Sequence, residues 1–563
     1  MMRKIAAFLF SVLLIGIIFL LVFVDAAGAQ TENKYGIHIT NKEDIPIAAK
    51  LVNGENGAWG YVTVVIQADD RVYDKWQPIF YDLMKYKLKP IVRIATKVEG
   101  NMWTRPTSED AQKWAEFLYS LYWPTKQKIV SIYNEPNHGR EWGGETDPAG
   151  YARELEITIR LLKEKSPDFF VLNAGFDSAT PQEPPRYFDQ LKYMEEMEQA
   201  VPGIFKVLDG WASHAYPNPG FAGKVEDRGR ATIRGYEWEL DLLKSRFGVT
   251  NDLPVFIKET GWPYRTGNRA SIRLDEAGAA ENTVRAFREV WLPDSRVKAV
   301  TPFLIRYGGD DFAHFSWFVG DQPSKIYEAV SQLPKSRGET DGRLLATIQN
   351  ILIPSEIALK QEYQASLAVR NTGERVWDAT GIKLGVDDPD GLIMRNNFAI
   401  PEGTMIYPGQ SYTFRFALKT EDTTKNNSSF TLAMENGEVD FGEKLFVPVR
   451  IYRQPVITLI ADPLPERTIE DVTVGVANQY GLKEVFAEQT IPIENGTLGA
   501  ISHQAMIPGV ETNIVIAAPR RDRVSLRVTL KEGENQIRFE IPEEKNVVTL
   551  IVERVAQVFR RPS

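Results

Sequence analysis

The pattern of apolar and polar positions changes near Ser336. From Tyr35 to about Leu333, short runs rich in β-branched residues alternate with longer segments whose apolar residues recur every three or four positions. The short runs predict strands, and the longer pattern predicts amphipathic helices. The expected strands are Tyr35 to Thr40, Trp59 to Ile66, Pro90 to Thr96, Ile129 to Tyr133, Phe169 to Ala174, Leu208 to Tyr216, Val255 to Lys258 and Ala299 to Ile305.

The alternation of these strands with helices predicts the fold class. A helix is expected from Ser108 to Tyr122, where Trp114, Phe117 and Leu121 share one face. Repeated βα units imply a parallel sheet, and eight such units in about 300 residues fit a (β/α)8 TIM barrel. An open, doubly wound sheet is the alternative topology. The barrel is favoured because no glycine-rich fingerprint follows the first strand.

After Ser336 the helical pattern stops, and the rest of the chain is predicted to be all-β. Alternating runs such as Tyr363 to Val369, separated by turn-rich pieces, predict an immunoglobulin-like β-sandwich over residues 348–453. A second alternating region predicts another small β-sandwich domain over residues 454–563. The barrel is assigned to residues 30–340. The default role of the two β domains is that of spacers, with tethering and glycan binding as alternatives.

The N-terminal segment, residues 1–29, has the form of a signal peptide. A charged start is followed by an uncharged apolar stretch from Ile5 to Val24 and by Ala27-Gly-Ala29, which resembles a cleavage site. The apolar stretch is also long enough to span a bilayer, so a membrane tether through residues 5–24 is the alternative. Both alternatives predict an exported protein, either secreted or anchored at the outer face of the cell membrane. The chain has no cysteine, so packing alone must stabilise it.

Charge and histidine spacing exclude several kinds of partner. The net charge is −9, with 66 basic against 75 acidic residues, and no basic stripe is present. A nucleic-acid partner is therefore not expected. The five histidines show no spacing typical of metal ligands, so we expect no dedicated metal site. No organic cofactor is expected either.

Two glutamates carry the candidate chemistry. Glu135 follows the fourth expected strand, and Glu259 follows the seventh. In a barrel both carboxylates would lie at the rim where the βα loops begin. Glycoside cleavage needs one carboxylic acid that protonates the leaving oxygen and a second carboxylate that attacks carbon or activates water. Asn134 adds an amide that can bind a sugar hydroxyl without lowering the acid's pKa as a cation would.

The segments Ser-Ile-Tyr-Asn134-Glu135-Pro136 and Phe-Ile-Lys-Glu259-Thr-Gly261-Trp262 resemble the fourth- and seventh-strand motifs of the clan A glycoside hydrolases. That clan, the 4/7 superfamily, contains retaining (β/α)8-barrel glycosidases. The resemblance covers about Lys34 to Leu333 and leaves the family within the clan open, because cellulase-like, xylosidase-like and glucanase-like members share these features. It implies that Glu135 is the acid/base, that Glu259 is the nucleophile and that Asn134 holds the sugar 2-hydroxyl.

Further residues are expected to bind the substrate. His214 and Tyr216 share one face of the sixth strand, and the resemblance implies that Tyr216 hydrogen-bonds the nucleophile. Arg93 is a charge within an apolar strand and needs a carboxylate partner, either Glu259 or another acid. Trp262 is a candidate aromatic wall of a sugar site. By the resemblance Trp317 is the floor of that site, although it falls later than is usual in the clan.

These observations predict a retaining glycoside hydrolase that cleaves a β-linked poly- or oligosaccharide by a two-glutamate double displacement. A cell-surface protein that binds glycan without cleaving it, or serves in adhesion, is the alternative from another class. An inverting hydrolase is the third, with its carboxyl groups about 6.5 to 9.5 Å apart. The substrate sugar, the linkage, endo or exo action and the oligomeric state stay open.

Overall fold

A computed structural model describes residues 32–550 except 265–273, 310, 339, 395–397, 422–423, 438, 479–480, 482 and 547–548. The predicted signal or anchor segment, residues 1–29, lies outside the described residues. Within the described part, no helix is both long enough and apolar enough to cross a membrane. The chain forms two compact units. The first comprises the described part of Met1–Leu345 with Thr372–Val376 and Tyr407–Gly409, and the second comprises the remainder.

In the first unit, strands alternate with helices. The strands are β1 Gly36–His38, β2 Gly60–Gln67, β3 Leu88–Ala95, β4 Lys128–Ile132, β5 Phe169–Leu172, β6 Trp211–His214, β7 Val255–Glu259 and β8 Val297–Val300. The helices are α1 Ile45–Asn53, α2 Tyr73–Lys85, α3 Asp110–Ser120, α4 Pro148–Lys165, α5 Gln190–Ala200, α6 Gly235–Ser245, α7 Glu276–Ala286 and α8 Lys325–Ser331. Each strand that the sequence predicted overlaps one of these strands.

These eight strands pair in parallel, and the unit also has two short antiparallel hairpins, Val98–Glu99 with Met102–Trp103 and Phe318–Val319 with Gln322–Pro323. One sheet has the order β1-β2-β3-β4-β5, and a second has the order β8-β7-β6. Single parallel bridges join the edges of the two sheets: Tyr35 pairs with Val300, and Leu172 pairs with Gly210. The first unit is therefore a mixed α/β structure built on parallel strands.

The strands contribute a small apolar cluster that is separate from the main core. It takes one residue from each strand from β2 to β8, namely Tyr61, Ile91, Ile129, Leu172, Ala212, Phe256 and Ala299. Side chains on a strand alternate, so residues two positions further along share the same side. On several strands those residues are polar, namely Thr63, Arg93, Ser131, His214, Lys258 and Thr301. An apolar layer thus lies below a polar layer at the carboxyl ends of the strands.

Helix α4 ties two of these strand ends together. Asp147 caps its first turn by accepting a hydrogen bond from Gly150 N at 2.8 Å. In the next turn, the buried Tyr151 hydroxyl donates to Ile132 O at 3.3 Å and accepts from Ala174 N at 2.8 Å. Tyr151 thereby fixes the end of β4 relative to the segment after β5.

The second unit contains antiparallel sheets. Its strands are β9 Ala346–Leu352, β10 Glu356–Ala358, β11 Tyr363–Asn371, β12 Ile382–Asp387, β13 Ser411–Leu418, β14 Asn427–Asn436, β15 Val439–Tyr452, β16 Val456–Ala461, β17 Ile469–Asn478, β18 Lys483–Ile491, β19 Thr497–Ile501, β20 Glu511–Ala517, β21 Val524–Thr529 and β22 Glu534–Phe539. They form sheets of order β9-β11-β13, β10-β15-β14-β12, β19-β16-β22 and β18-β17-β20-β21. The β10–β15 and β16–β22 pairs are parallel. The alternating burial along strands such as β11 shows that one face of each points into a core.

Candidate active site

Glu135 lies in a tight turn immediately after β4. Two residues of this turn have left-handed backbone angles, with φ of +67° at Tyr133 and +31° at Glu135. The surrounding structure holds them there: the buried Tyr133 donates its hydroxyl to Glu154 Oε1 at 3.2 Å, and His138 N donates to Glu135 O at 2.8 Å. Non-glycine residues in such conformations are costly and cluster at functional sites.

Glu259, at the end of β7, lies beside Glu135. The β6–β7 register shifts between Ser213 and His214, so that His214 pairs with Glu259. The His214 Nδ1 atom is 2.7 Å from Glu135 Oε1 and 3.8 Å from Glu259 Oε2. One oxygen of Glu135, one oxygen of Glu259 and one ring nitrogen of His214 lie within 4.8 Å of one another. The structure therefore brings the two predicted catalytic carboxylates together.

The two carboxylates have different surroundings. Burial raises the pKa of Glu135, whose side chain is 18% exposed. Burial also lowers the pKa of His214 to about 3, so its ring is neutral and shares one hydrogen bond with Glu135. Glu259 instead accepts the Tyr216 hydroxyl at 3.2 Å and lies 3.6 Å from the Arg93 guanidinium. These surroundings favour the protonated form of Glu135, and they place a hydroxyl donor and a cation beside Glu259.

The three clustered atoms are close enough to surround a small cation. However, the carboxylates already interact with the His214 ring, the Tyr216 hydroxyl and the Arg93 guanidinium. We therefore assign them no metal. The arrangement is suited to moving a proton.

Asn134 presents an open acceptor beside the acid. Its Nδ2 donates to Glu141 Oε2 at 3.4 Å. Its buried Oδ1 has no hydrogen-bond partner within the described part of the chain. A buried oxygen without a hydrogen bond is costly in free energy unless a ligand donates one to it. Asn134 therefore lies where it can accept a hydrogen bond from a bound hydroxyl group.

The two predicted aromatic residues lie in the core. Trp262 and Trp317 are each 2% exposed and belong to the main apolar cluster of the first unit. Trp262 Nε1 donates to Gly223 O at 2.9 Å, and Trp317 N donates to Leu304 O at 3.0 Å. Little of either indole is open to a ligand in this conformation.

Three polar residues around the site were not predicted from the sequence. Lys258 is fully buried next to Glu259. His138 Nε2 bonds Asp177 Oδ2 at 2.8 Å; burial opposes its charge, yet Asp177 and the other carboxylates raise the pKa of His138 overall. The position of His138, three residues after Glu135, could have identified it in the sequence as a candidate site residue. Nothing in the sequence identifies Asp177, because it lies in a loop where most acidic residues face solvent.

Comparison with known proteins gives distant likenesses. No model of a protein family matches the chain, and no curated protein matches it. A solved glucosidase from Croceicoccus marinus is 11% identical, with 84% of this chain and 93% of that chain covered and a TM-score of 0.39. A GH128 (subgroup II) endo-β-1,3-glucanase from Pseudomonas viridiflava is 13% identical, with 54% and 99% covered and a TM-score of 0.35.

An FMN-binding β-glucuronidase from Facaelibacterium prausnitzii L2-6 is 12% identical, with a TM-score of 0.35. The match covers 75% of this chain but only 57% of that chain. All three solved structures are glycosidases by name. At these identities and TM-scores they carry no argument about this chain, so the case for its function depends on the site.

Proposed function

We propose that the protein is a retaining glycoside hydrolase of clan A type that cleaves β-linked poly- or oligosaccharides. The first unit would be a (β/α)8 barrel over residues 30–340. The bridges that join both pairs of sheet edges support this proposal, and so does the apolar cluster drawn from β2 to β8. The second unit would contain two β-sandwiches, over residues 348–453 and 454–563, on an exported protein.

The observation that carries the proposal is the closeness of the two carboxylates. An oxygen of Glu135 and an oxygen of Glu259 lie within 4.8 Å of each other, although 123 residues separate them in the sequence (259 − 135 − 1). Retaining glycosidases place their carboxyl groups about 5 to 5.5 Å apart, whereas inverting enzymes need about 6.5 to 9.5 Å to accommodate a water molecule. This short separation favours double displacement over the inverting alternative.

The surroundings of each group support a division of roles. Glu135, protonated because it is buried, would give its proton to the leaving glycosidic oxygen while Glu259 attacks the anomeric carbon. Arg93 and Tyr216 would stabilise the charge on Glu259 before attack. Glu135 would then take a proton from the water that releases the sugar. Asn134 Oδ1 would accept a hydrogen bond from the sugar 2-hydroxyl during both steps.

A panel of aryl β-glycosides tests the proposal on the full chain. We expect release of the aryl alcohol, a loss of turnover in Glu259→Gln with every substrate, and a roughly 10²- to 10⁴-fold loss in Glu135→Gln with poor leaving groups. The loss in Glu135→Gln should shrink with dinitrophenyl leaving groups, because these depart without a proton.

Glu154→Gln provides the matched control. Glu154 is also a glutamate whose pKa is raised by burial, and it lies outside the catalytic pair. Glutamine at this position keeps an amide oxygen that can accept the Tyr133 hydroxyl, so the turn that carries Glu135 is retained. Glu154→Gln should retain turnover. Failure of the wild-type chain to cleave any glycoside that it binds would favour the non-catalytic glycan-binding alternative. Equal turnover by wild type and Glu259→Gln would exclude Glu259 as nucleophile.

A further inference from the structure

Lys258 buries an ammonium group next to the catalytic pair. The residue has no exposed surface, and Nζ donates to Ser131 Oγ at 3.2 Å and to Ala174 O at 2.5 Å. Both partners are neutral oxygens. A buried charge with neutral partners is costly, since desolvation is not offset by an ion pair. An apolar residue of similar length would fill the space at lower cost.

The backbone of Lys258 is held from two other strands. Its carbonyl oxygen accepts from His38 Nε2 at 2.8 Å and from Thr301 Oγ1 at 2.7 Å. Burial lowers the pKa of His38 well below its usual range, so the neutral ring donates through Nε2. The Lys258 side chain reaches Ser131 on β4, the strand whose end carries Glu135. Glu259 is the next residue on its own strand. The ammonium group therefore lies between β4, whose end carries Glu135, and β7, which carries Glu259.

Charged and titratable groups surround Lys258 from five strands or the turns after them. They are Glu259 on β7, Arg93 on β3, Glu135 and Glu141 after β4, His214 on β6 and His38 on β1. Burial lowers the pKa of Lys258 to about 7, and Glu259 opposes this shift. Burial raises the pKa of Glu135, and the charges of His138 and Lys258 oppose that rise. The charge on Lys258 is thus coupled to the proton on Glu135.

We propose that Lys258 is a positioning residue of this site: a buried cation beside Glu259 that tunes how tightly Glu135 keeps its proton, without touching substrate. The inference rests on the proposed glycosidase function and deepens it. It explains why a lysine, and not an apolar residue, occupies a position whose hydrogen-bond partners are neutral.

The test compares Lys258→Gln and Lys258→Met with wild type. Glutamine keeps a donor for the Ala174 carbonyl but removes the charge, whereas methionine removes both. In each variant we expect the alkaline limb of the kcat/KM profile against pH to move up by about one unit, because Glu135 loses the cation that Lys258 provides below about pH 7. The substrate is the 4-nitrophenyl β-glycoside that wild type cleaves fastest.

Lys335→Met is the matched control. The Lys335 Nζ also donates to a carbonyl, Val330 O at 2.6 Å, and lies 3.7 Å from the Tyr35 ring centroid, and burial lowers the pKa of Lys335 to about 7 as well. It has no contact with either catalytic glutamate, so its profile should match wild type. An unshifted alkaline limb in folded Lys258→Gln and Lys258→Met would overturn the proposal.

A ¹³C NMR titration of the Glu135 carboxyl separates this inference from the proposed function. Glu135→Gln assigns the signal, and the wild-type resonance should show a second step near pH 7, where Lys258 loses its proton. This readout needs no turnover, so absence of glycoside cleavage would count against the proposed function alone. A single-step titration of Glu135 in wild type would overturn the role of Lys258, even if both variants failed to fold.

Discussion

At the residue scale, the site depends on how closely the chain approaches His214. Gly175 has φ of +76°, and a Cβ added there would lie 2.4 Å from His214 Cδ2 and Nε2. In Gly175→Ala the imidazole must move from its present position, which disturbs its hydrogen bond with Glu135. We expect the free energy of unfolding to fall by about 2 to 4 kcal/mol and kcat/KM to fall at least about tenfold. Urea denaturation and steady-state kinetics measure the two effects.

Gly229→Ala separates backbone strain from the contact with His214. Gly229 has φ of +88°, but nothing lies within 4 Å of an added Cβ. This control should lose about 1 kcal/mol of stability and no activity. If both alanine variants lost activity equally, close approach to His214 would not be what the site requires.

Residue types predicted the two glutamates and Arg93 but not Lys258. Glu135 and Glu259 could be named because each ends an apolar run, and Arg93 because a buried charge needs a partner. The partner of Arg93, left open between Glu259 and another acid, is Glu259 at 3.6 Å. Lys258 could not be predicted as a site residue, since its role depends on cross-strand neighbours that alternation alone does not identify.

At the element scale, one hydroxyl joins the two segments that carry Glu135 and Gly175. Tyr151 of α4 bonds both Ile132 O and Ala174 N. Tyr151→Phe leaves the Ala174 N–H without this partner. We expect a loss of about 1 to 3 kcal/mol in the free energy of unfolding, with a fall in activity because both segments loosen.

A neighbouring tyrosine of the same aromatic cluster provides the comparison. The Tyr193 ring lies 6.4 Å from the Tyr151 ring, and its buried hydroxyl has no partner among the described residues. Tyr193→Phe should leave stability unchanged or slightly raise it. A loss in Tyr193→Phe as large as that in Tyr151→Phe would mean that ring packing, and not the two hydrogen bonds, supports the site.

The positions of the strands were readable from the sequence, whereas their ends and local register were not. β-branched runs located β1 to β8, because buried parallel strands are nearly continuously apolar. The sixth was expected over Leu208 to Tyr216 but spans Trp211–His214, because the apolar pattern continues into the loops beyond the sheet. The register shift that pairs His214 with Glu259 cannot be recognised in the sequence pattern, yet it aligns His214 with Glu259 at the end of β7.

At the scale of the whole molecule, the two compact units need separate probes of unfolding. A protein with two units need not unfold in one step, so a single transition cannot be assumed. Of the 12 tryptophans, Trp377 alone belongs to the second unit by its position in the sequence. Tryptophan fluorescence therefore reports mainly on the first unit, which holds the site.

The buried Lys258 and the partly buried Lys335 should make the free energy of unfolding of that unit rise with pH. Burial lowers the folded-state pKa of Lys258 and Lys335 from 10.5 to about 7. Between these values the unfolded chain binds more protons than the folded chain, so the free energy of unfolding increases with pH. We expect an increase of about 2 kcal/mol per lysine between pH 7 and pH 9, measured by urea denaturation followed by tryptophan fluorescence.

Lys335→Met should remove about half of this increase, because one of the two contributions disappears while the site is left intact. Lys113→Met, at a side chain 52% exposed on α3, should retain the full increase. Tyrosine ionisation has the opposite effect on the free energy of unfolding above about pH 10, so the measurement stops at pH 9. If the free energy of unfolding rose equally steeply with pH in wild type and in Lys335→Met, Lys335 would keep its proton in the folded chain. The increase in stability with pH would then come from other groups.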